Sequence, residues 1–221
     1  MAVSPGSRGF LYDDMRSADR WNREYTASDA AITATPAQYD ATIGKFYTRL
    51  NIAAAGPQFK WFFNMSQQFK NFDLRLITRS NNAFASRSWF CIMASRLNYS
   101  GIGVGIVAVN TTVKWIKAPF IYYNFTGAPY TPPTNTWCNV RFQKDSRAWK
   151  QKWWLYGVQE PDWTAVQATG DMTTSGTNLM NQGYTNQPQY IGFGSYSDAV
   201  NAIYQDIADI RITPIRKVGG P

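Results

Sequence analysis

The sequence predicts an all-β fold in which two antiparallel sheets pack as a sandwich. Of its 221 residues, 16% are aromatic and 16% charged, with 16 Gly and 11 Pro, which suits strands and turns better than a helical bundle. Short segments alternate apolar and polar residues with a period of two, and Gly, Pro, Asn and Ser bound them. No strand-helix-strand rhythm is present, which favours a sandwich over a parallel sheet covered by helices.

The length fits one domain without an internal linker. Residues 13–213 are assigned to a single sandwich, residues 1–12 to an N-terminal arm rich in Ser, Gly and Pro, and residues 214–221 to a C-terminal tail. A chain of this size is expected to bury roughly 70% of the surface that its unfolded form exposes. It therefore needs no disulfide or metal to fold.

The first clear strands lie in the middle of the chain. Residues 72–79 place Phe72, Leu74 and Leu76 on one face, and residues 88–94 are almost continuously apolar, as in a strand buried on both faces. Residues 102–110 and 111–118 read as a hairpin that turns near Asn110. The weak helical pattern of residues 27–43 amounts to a turn or two.

The second half of the chain adds a hairpin of residues 137–144 and 147–156, then strands at 189–196 and 203–213. Cys138, Val140 and Phe142 alternate with polar residues in the first of these segments. The residues expected to be largely buried in the sandwich are Trp137, Val140, Phe142, Leu155, Ile210 and Ile212.

A longer pattern runs through residues 137–163. A strand of the form W-x-x-h-R-h, where h is apolar, is followed by a turn, a second strand of the form K-h-W, and then Gly157, Glu160-Pro161 and Trp163. This order resembles concanavalin A-like, laminin G-like domains, especially those of bacteriophage structural proteins. Residues 13–21 and 206–212 resemble the opening and closing strands of the same family. The resemblance implies a two-sheet jelly roll in a virion protein.

The residue types argue against catalysis. The chain has no His, which removes Ser-His-Asp and Cys-His mechanisms and His-liganded zinc. Glycoside hydrolysis needs two carboxylates across a cleft, and the Glu-x-Asp-x-x-Glu motif of glucanases with this fold is absent. Asp206 and Asp209, three residues apart, are expected on opposite faces of a strand. We therefore predict that the protein is not an enzyme and uses no cofactor.

The acidic residues near the two ends of the chain and the two cysteines each allow two interpretations. If the terminal strands pair, Asp13 and Asp14 meet Asp206 and Asp209 in a calcium site; the favoured alternative is that these carboxylates solubilise an edge or pair with arginines. The arginines considered are Arg16, Arg20 and Arg211. Cys91 and Cys138 are expected to be buried, reduced thiols rather than a disulfide.

The net charge of +8 points to an anionic neighbour or cell envelope. The Lys and Arg residues are scattered, so specific nucleic-acid binding is not expected. The apolar run of residues 102–109 is too short to span a membrane. The N-terminal residues do not resemble a secretory signal, so the chain is expected to be made in the cytoplasm. The family resemblance implies that this is a host cytoplasm and that the protein then resides in the virion.

Aromatic residues supply the candidate contacts. Trp149 and Trp153 share one face of their strand, whereas Trp154 and Tyr156 share the other with Lys150 and Lys152. The Pro-rich segment 119–133 is expected to be a loop, which either recognises a partner or folds onto its own sandwich. The candidate glycan or partner contacts are Tyr122, Tyr123, Phe125, Tyr130, Trp154 and Tyr156.

The leading hypothesis is therefore a bacteriophage virion structural protein of the capsid or tail, which acts through contacts with other virion proteins and with copies of itself. The alternative is a lectin-like carbohydrate-binding domain without catalysis, which serves adsorption to a host surface. The aromatic content exceeds what one sandwich core readily absorbs, which favours a homo-oligomer.

Overall fold

The structure is a computed structural model of the chain. It describes residues 11–17, 21–26, 32–52, 59–63, 68–81, 89–95, 101–107, 112–118, 121–123, 131–145, 148–163, 169–171, 190–196 and 203–215.

The described residues form fifteen strands. They are β1 (Leu11–Asp13), β2 (Trp21–Thr26), β3 (Ile32–Asp40), β4 (Lys45–Ile52), β5 (Phe59–Phe63), β6 (Phe72–Ser80), β7 (Trp89–Ser95), β8 (Gly101–Val107), β9 (Thr112–Ala118), β10 (Ile121–Tyr123), β11 (Cys138–Asp145), β12 (Ala148–Leu155), β13 (Thr169–Asp171), β14 (Tyr190–Tyr196) and β15 (Ile203–Pro214). The strands expected from residues 72–79, 88–94, 102–118, 137–156, 189–196 and 203–213 are confirmed within a few residues at their ends.

The strands build two antiparallel sheets. The first has eight strands in the order β13-β12-β11-β6-β15-β4-β3, with β1 also paired to β15. The second has seven, in the order β10-β9-β8-β7-β14-β5-β2. The predicted all-β, two-sheet jelly roll is confirmed. Strand β1 begins at Leu11, which is buried, so the first sheet starts two residues before residue 13, the expected start of the sandwich.

One face of the eight-stranded sheet is apolar and buried. In β6 and β11, residues alternate between buried and partly exposed positions, which places Leu74 beside Phe142 and Leu76 beside Val140. The rings of Phe72 and Phe142 meet edge to face at 5.4 Å. Period-two patterning thus predicts this face correctly because one side of the sheet is desolvated.

Five of the six residues expected to be buried are buried: Trp137, Val140, Phe142, Ile210 and Ile212. Leu155 is the exception, since 39% of it is exposed. It lies at the end of β12, where it pairs with Cys138 on one side, whereas β13 on the other side reaches only residues 148–150. Among the described residues, Leu155 therefore has a strand neighbour on one side only.

Two local expectations were wrong. Residues 32–40, within the weak helical pattern, form strand β3, whose register shifts between Thr35 and Gln38 around Ala37, a residue with φ of 58°. This bulge accommodates Pro36 at the sheet edge, where proline is tolerated. Residues 121–123 belong to β10, paired with β9, although the Pro-rich composition predicts a loop.

A second bulge changes the closing strand. The pairing of β15 with β6 shifts between Ala208 and Arg211, and Asp209 has φ of 49°. The inserted residue moves Asp209 onto the same face as Asp206, contrary to the alternation expected from a regular strand. Arg211 shares that face, as expected from the sequence, and Ile210 and Ile212 stay on the buried face.

Candidate functional site

The outer face of the eight-stranded sheet carries three rows of side chains that cross the strands. Because directly paired residues point to the same side of a sheet, the register defines each row. The ionic row contains Arg79, Asp206 and Arg49; the middle row contains Trp154, Asn139, Ile77, Ala208 and Tyr47; the cation row contains Lys152, Arg141, Arg75 and Arg211.

Part of this face is covered by the chain itself. Ile43, from the turn between β3 and β4, and Trp137, which precedes β11, pack against Tyr47, Ile77 and Ala208. The rings of Tyr47 and Trp137 lie 5.5 Å apart, edge to face. This small apolar cluster seals one end of the outer face from water.

The ionic row lies beside that cluster and is held tightly. The carboxylate of Asp206 is fully buried and accepts hydrogen bonds of 2.7 to 2.9 Å from the guanidinium groups of Arg49 and Arg79. The guanidinium of Arg79 lies 4.3 Å above the Trp137 ring, and that of Arg49 lies 4.1 Å above Tyr204. Each charged group of the ionic row thus lies within hydrogen-bonding distance of an opposite charge, as in an ion cluster that stabilises a fold.

Asp40 extends the ionic row at the end of β3. Burial opposes ionisation of this carboxyl, but hydrogen bonds from Thr42 and from the Trp137 indole, together with the positive charge of Arg79, lower its pKa to about 2. Asp40 thereby ties the β3–β4 turn to the covered end of the outer face.

The cation row is arranged differently. Arg211 pairs directly with Arg75, Arg75 with Arg141, and Arg141 with Lys152, so four cations lie on four adjacent strands. With strands about 4.8 Å apart, the row is about 14 Å long. Like charges directly opposite one another destabilise a sheet, so the row needs counter-charges.

Glu160 supplies one counter-charge from the segment after β12. Gly157 adopts a φ of 82°, which a residue with a side chain rarely takes, and the chain turns there so that Glu160 returns over the sheet. Its carboxylate binds Arg141 at 2.7 Å, Arg75 at 3.0 Å and the ammonium of Lys152.

Asp73 supplies the second counter-charge, and its carboxylate binds Arg141 with two oxygens. The same segment also places Trp163 over the sheet. The Trp163 ring has the ammonium of Lys152 at 4.3 Å and the guanidinium of Arg141 at 5.1 Å. Lys152 also donates to the carbonyl of Pro161 at 2.7 Å. The Gly, Glu-Pro and Trp positions of the sequence pattern therefore form a clamp over one end of the cation row.

The other end of the cation row is open and borders a cleft of about 280 Å³. The side chains of Arg75 and Arg211 are 46% and 48% exposed. Asp209, which binds both Arg211 and Lys45, projects between the middle and cation rows because of the β15 bulge. The cleft is lined by Lys45, Arg75, Leu76, Ile77, Asn139, Val140, Trp154, Tyr156, Asp209 and Arg211.

Two of the sequence-predicted contact residues meet in this cleft. Trp154 and Tyr156 both line it, and the Tyr156 hydroxyl donates to the carbonyl of Ile43 at 3.2 Å. Trp153 is buried on the opposite face, as the alternation predicts. The side chains of Tyr122 and Tyr123 lie outside the described part of the structure, and so do residues Phe125 and Tyr130.

The four acidic residues considered for calcium do not converge on one point. The terminal strands do pair, with Asp13 opposite Ile210, but Asp206 binds arginines, Asp209 binds Lys45 and Arg211, and Asp14 binds Arg16 at 3.0 Å. No group of three or more possible metal ligands occurs in the described part of the chain. Of the two cysteines, Cys138 is buried, as expected, and the side chain of Cys91 lies outside the described part of the structure.

The cation row itself was not recognised from the sequence. Each member is visible as a polar position within its strand, but the row exists only because β15, β6, β11 and β12 are neighbours in the sheet. The available signal was a Lys or Arg on the polar face of each of these segments. No helix within the described ranges is long and apolar enough to cross a membrane.

Comparison with known proteins identifies the fold. No protein-family model matches the sequence, and no curated protein sequence matches it either. Among solved structures, the Crh5 transglycosylase in complex with NAG has a TM-score of 0.60 at 10% identity, over 94% of this chain and 84% of that one.

Two further structures similar to this chain are a glycan-bound domain and a lectin-like protein, and neither is named as an enzyme. The exoplasmic/lumenal domain of VIP36, in a form bound to Ca2+ and Man3GlcNAc, has a TM-score of 0.57 at 9% identity, over 97% and 92% of the two chains. Arcelin-5, a lectin-like defense protein from Phaseolus vulgaris, has a TM-score of 0.54 at 10% identity, over 92% and 96%. At these identities the likeness shows the fold alone, which enzymes and lectins share. The chain has a concanavalin A-like, lectin-like jelly-roll fold.

Proposed function

We propose that this protein is a carbohydrate-binding domain without catalytic activity and that the outer-face cleft is its binding site. The observation that carries the proposal is the meeting of Trp154 and Tyr156 with amide, carboxylate and guanidinium groups around one small cleft. A flat aromatic ring covers the apolar face of a sugar, while polar groups beside it bind the hydroxyls. Such a combination of apolar surface and a few convergent polar groups is typical of small-ligand sites.

The arrangement of the carboxylates supports binding rather than hydrolysis. Asp209 is the carboxylate that lines the cleft, and its oxygens are engaged by Lys45 and Arg211. These two cations counteract the effect of burial and lower the pKa of Asp209, which keeps it ionised and unsuited to act as a general acid. A hydrolase of this type requires a second, suitably spaced carboxyl group.

The test is binding of the purified protein to a panel of defined neutral and acidic oligosaccharides, followed by calorimetric titration of each that binds. Trp154→Ala is expected to weaken binding about tenfold or more, because it removes the stacking surface. Tyr39→Ala is the matched control, since Tyr39 is an exposed aromatic residue on β3 that does not line the cleft. Failure of every oligosaccharide to bind, or equal loss in both variants, would contradict the proposal.

A second candidate function is a structural role in a bacteriophage virion. It is favoured by the resemblance of residues 137–163 to domains of phage structural proteins. None of the solved structures named above is a phage protein, so this candidate depends on the sequence pattern. In this case the protein resides in the particle and contacts other virion proteins and copies of itself.

Oligomer formation separates the two candidates. Tyr39 and Val158 are more than half exposed on the outside of the described chain, and apolar surface of this kind is buried when subunits associate. If the virion role is right, sedimentation velocity at micromolar concentration is expected to show multimers that bind no sugar. A monomer that binds an oligosaccharide supports the first candidate instead.

A further inference from the structure

We infer that the cleft selects an anionic sugar, and that Arg75 and Arg211 bind its carboxylate or sulfate group. This inference depends on the proposed carbohydrate-binding function and specifies the class of ligand.

The first argument is the balance of charge around the cleft. The cation row and Lys45 bring five positive charges, whereas Asp73, Glu160 and Asp209 bring three negative charges. Two of these three carboxylates, Asp73 and Glu160, hold Arg141. An excess of positive charge therefore faces the open end of the row, where an anion relieves the repulsion between paired arginines.

The second argument is the geometry of the two open arginines. Arg211 and Arg75 are direct neighbours on β15 and β6. In the described structure, Arg75 donates one hydrogen bond to Glu160 through Nη1, and Arg211 uses Nε and Nη2 to bind Asp209. A guanidinium carries five N–H donors and pairs well with carboxylate and sulfate oxygens. Both arginines are about half exposed and line the cleft.

The third argument concerns size and shape. The cleft volume of about 280 Å³ lies at the lower end of the range for small-ligand pockets, which is about 300 to 1,000 Å³. Trp154 and Arg75 line the same cleft, Trp154 from the middle row and Arg75 from the neighbouring cation row. A sugar ring that stacks on Trp154 thus presents an acidic substituent to the arginines. An extended nucleic acid needs a longer groove with several stacking rings.

The experiment compares charged and uncharged forms of the same sugar. Oligogalacturonate is titrated beside its methyl ester, which has the same backbone without the charge, and a heparin oligosaccharide is titrated beside its desulfated form. Polyglutamate and a DNA oligonucleotide serve as anions without the sugar. Binding of one acidic sugar at least about tenfold tighter than its neutral form and than both other anions is the expected result. A preference for oligogalacturonate over its methyl ester identifies the bound group as a carboxylate. A preference for the heparin oligosaccharide over its desulfated form identifies it as a sulfate.

The other outcomes are also informative. Equal binding of an acidic sugar and its neutral form retains the carbohydrate-binding function and overturns this inference. Equal binding of polyglutamate or DNA shows attraction to charge alone and overturns both. Absence of binding to any sugar overturns both as well.

Charge-removing variants locate the contact. Arg75→Gln and Arg211→Gln are each expected to weaken binding of the acidic sugar about tenfold and to weaken binding of its neutral form by a smaller factor, because the neutral form offers these arginines no anion. Arg16→Gln is the matched control, because Arg16 is an exposed arginine that does not line the cleft. Loss of affinity in Arg16→Gln equal to that in Arg211→Gln would exclude the cleft as the site.

Discussion

The outer face of the eight-stranded sheet contains arginines and carboxylates in two settings that differ in burial. Around Asp206, which is fully buried, both arginines are held by short hydrogen bonds under a cover of aromatic rings. At the open end of the cation row, Arg75 and Arg211 are about half exposed and their carboxylates are shared with other cations. The same chemistry thus forms a buried ion cluster in one place and leaves two arginines about half exposed in the other.

The largest effect is expected from Asp206→Asn. This substitution leaves Arg49 and Arg79 facing a neutral amide in a desolvated position, which is expected to lower the free energy of unfolding by about 3 kcal/mol. Asp209→Asn, three residues further along the same strand, is the matched control and is expected to cost about 1 kcal/mol, because Arg211 remains solvated. Urea denaturation of both variants measures the difference. Equal losses would mean that burial does not distinguish the two clusters.

Lys144 is a buried cation held by a backbone carbonyl, whereas Arg49 and Arg79 are held by a carboxylate. It therefore tests what burial does to a cation without a paired anion of this kind. It is fully buried beside Phe72, and its ammonium donates to the carbonyl of Lys70. Burial, and to a lesser extent the charge of Lys70, lowers the pKa of Lys144 to about 8. The unfolded chain keeps this proton up to an ordinary lysine pKa of about 10.4.

Between pH 8 and pH 10.5 the unfolded state therefore binds more protons than the folded state, and stability rises with pH. Lys144→Met removes this contribution. From pH 7 to pH 10, the free energy of unfolding of the wild type is therefore expected to rise by about 2 kcal/mol relative to that of Lys144→Met. Urea denaturation at four pH values measures this, with Lys150→Met as the partly exposed control. Parallel curves for the wild type and Lys144→Met would rule out a neutralised buried lysine.

Asp40 also makes stability rise with pH, but in the acidic range. Its folded pKa of about 2 lies below the ordinary value of 3.8, so its contribution is complete above pH 4 and is lost as the pH falls from 4 to 2. The wild type is expected to exceed Asp40→Asn in stability by about 1 to 2 kcal/mol at pH 6 and to lose this advantage near pH 2. Thermal unfolding across this range measures the difference. A constant advantage would assign it to packing rather than to charge.

Local patterns in the sequence predicted the strands better than they predicted the site. Alternation located β6 and β11 because a half-buried sheet requires one apolar face. It missed the position of Asp209, since an inserted residue in a bulge leaves no mark on composition. It also missed the placement of Arg75 opposite Arg211, because the pairing of β6 with β15 joins segments far apart in the chain. The shared face of Trp154 and Tyr156, by contrast, follows from alternation within one strand, and both residues line the cleft.

Glu160 holds the clamped end of the cation row and gives the smallest and most specific effect. Its carboxylate is partly exposed and neutralises Arg75, Arg141 and Lys152 together. Hydrogen bonds from Lys152 and Arg141 overcome the effect of burial and hold its pKa below the ordinary value. Glu160→Gln is therefore expected to cost about 1 kcal/mol of stability, since a solvated ion cluster is weakened without a buried charge being stranded.

The same substitution is expected to strengthen binding of an acidic sugar a few-fold, because it removes the nearer of the two carboxylates that compete for Arg75, leaving Asp73 at 3.9 Å. Denaturation and calorimetric titration of one preparation measure both effects. Asp14→Asn, which removes an exposed carboxylate outside the cleft, is the control and is expected to change neither quantity. A purely structural Glu160 predicts weaker or unchanged binding, so tighter binding of the acidic sugar with unchanged binding of its neutral form identifies Arg75 as part of an anion site.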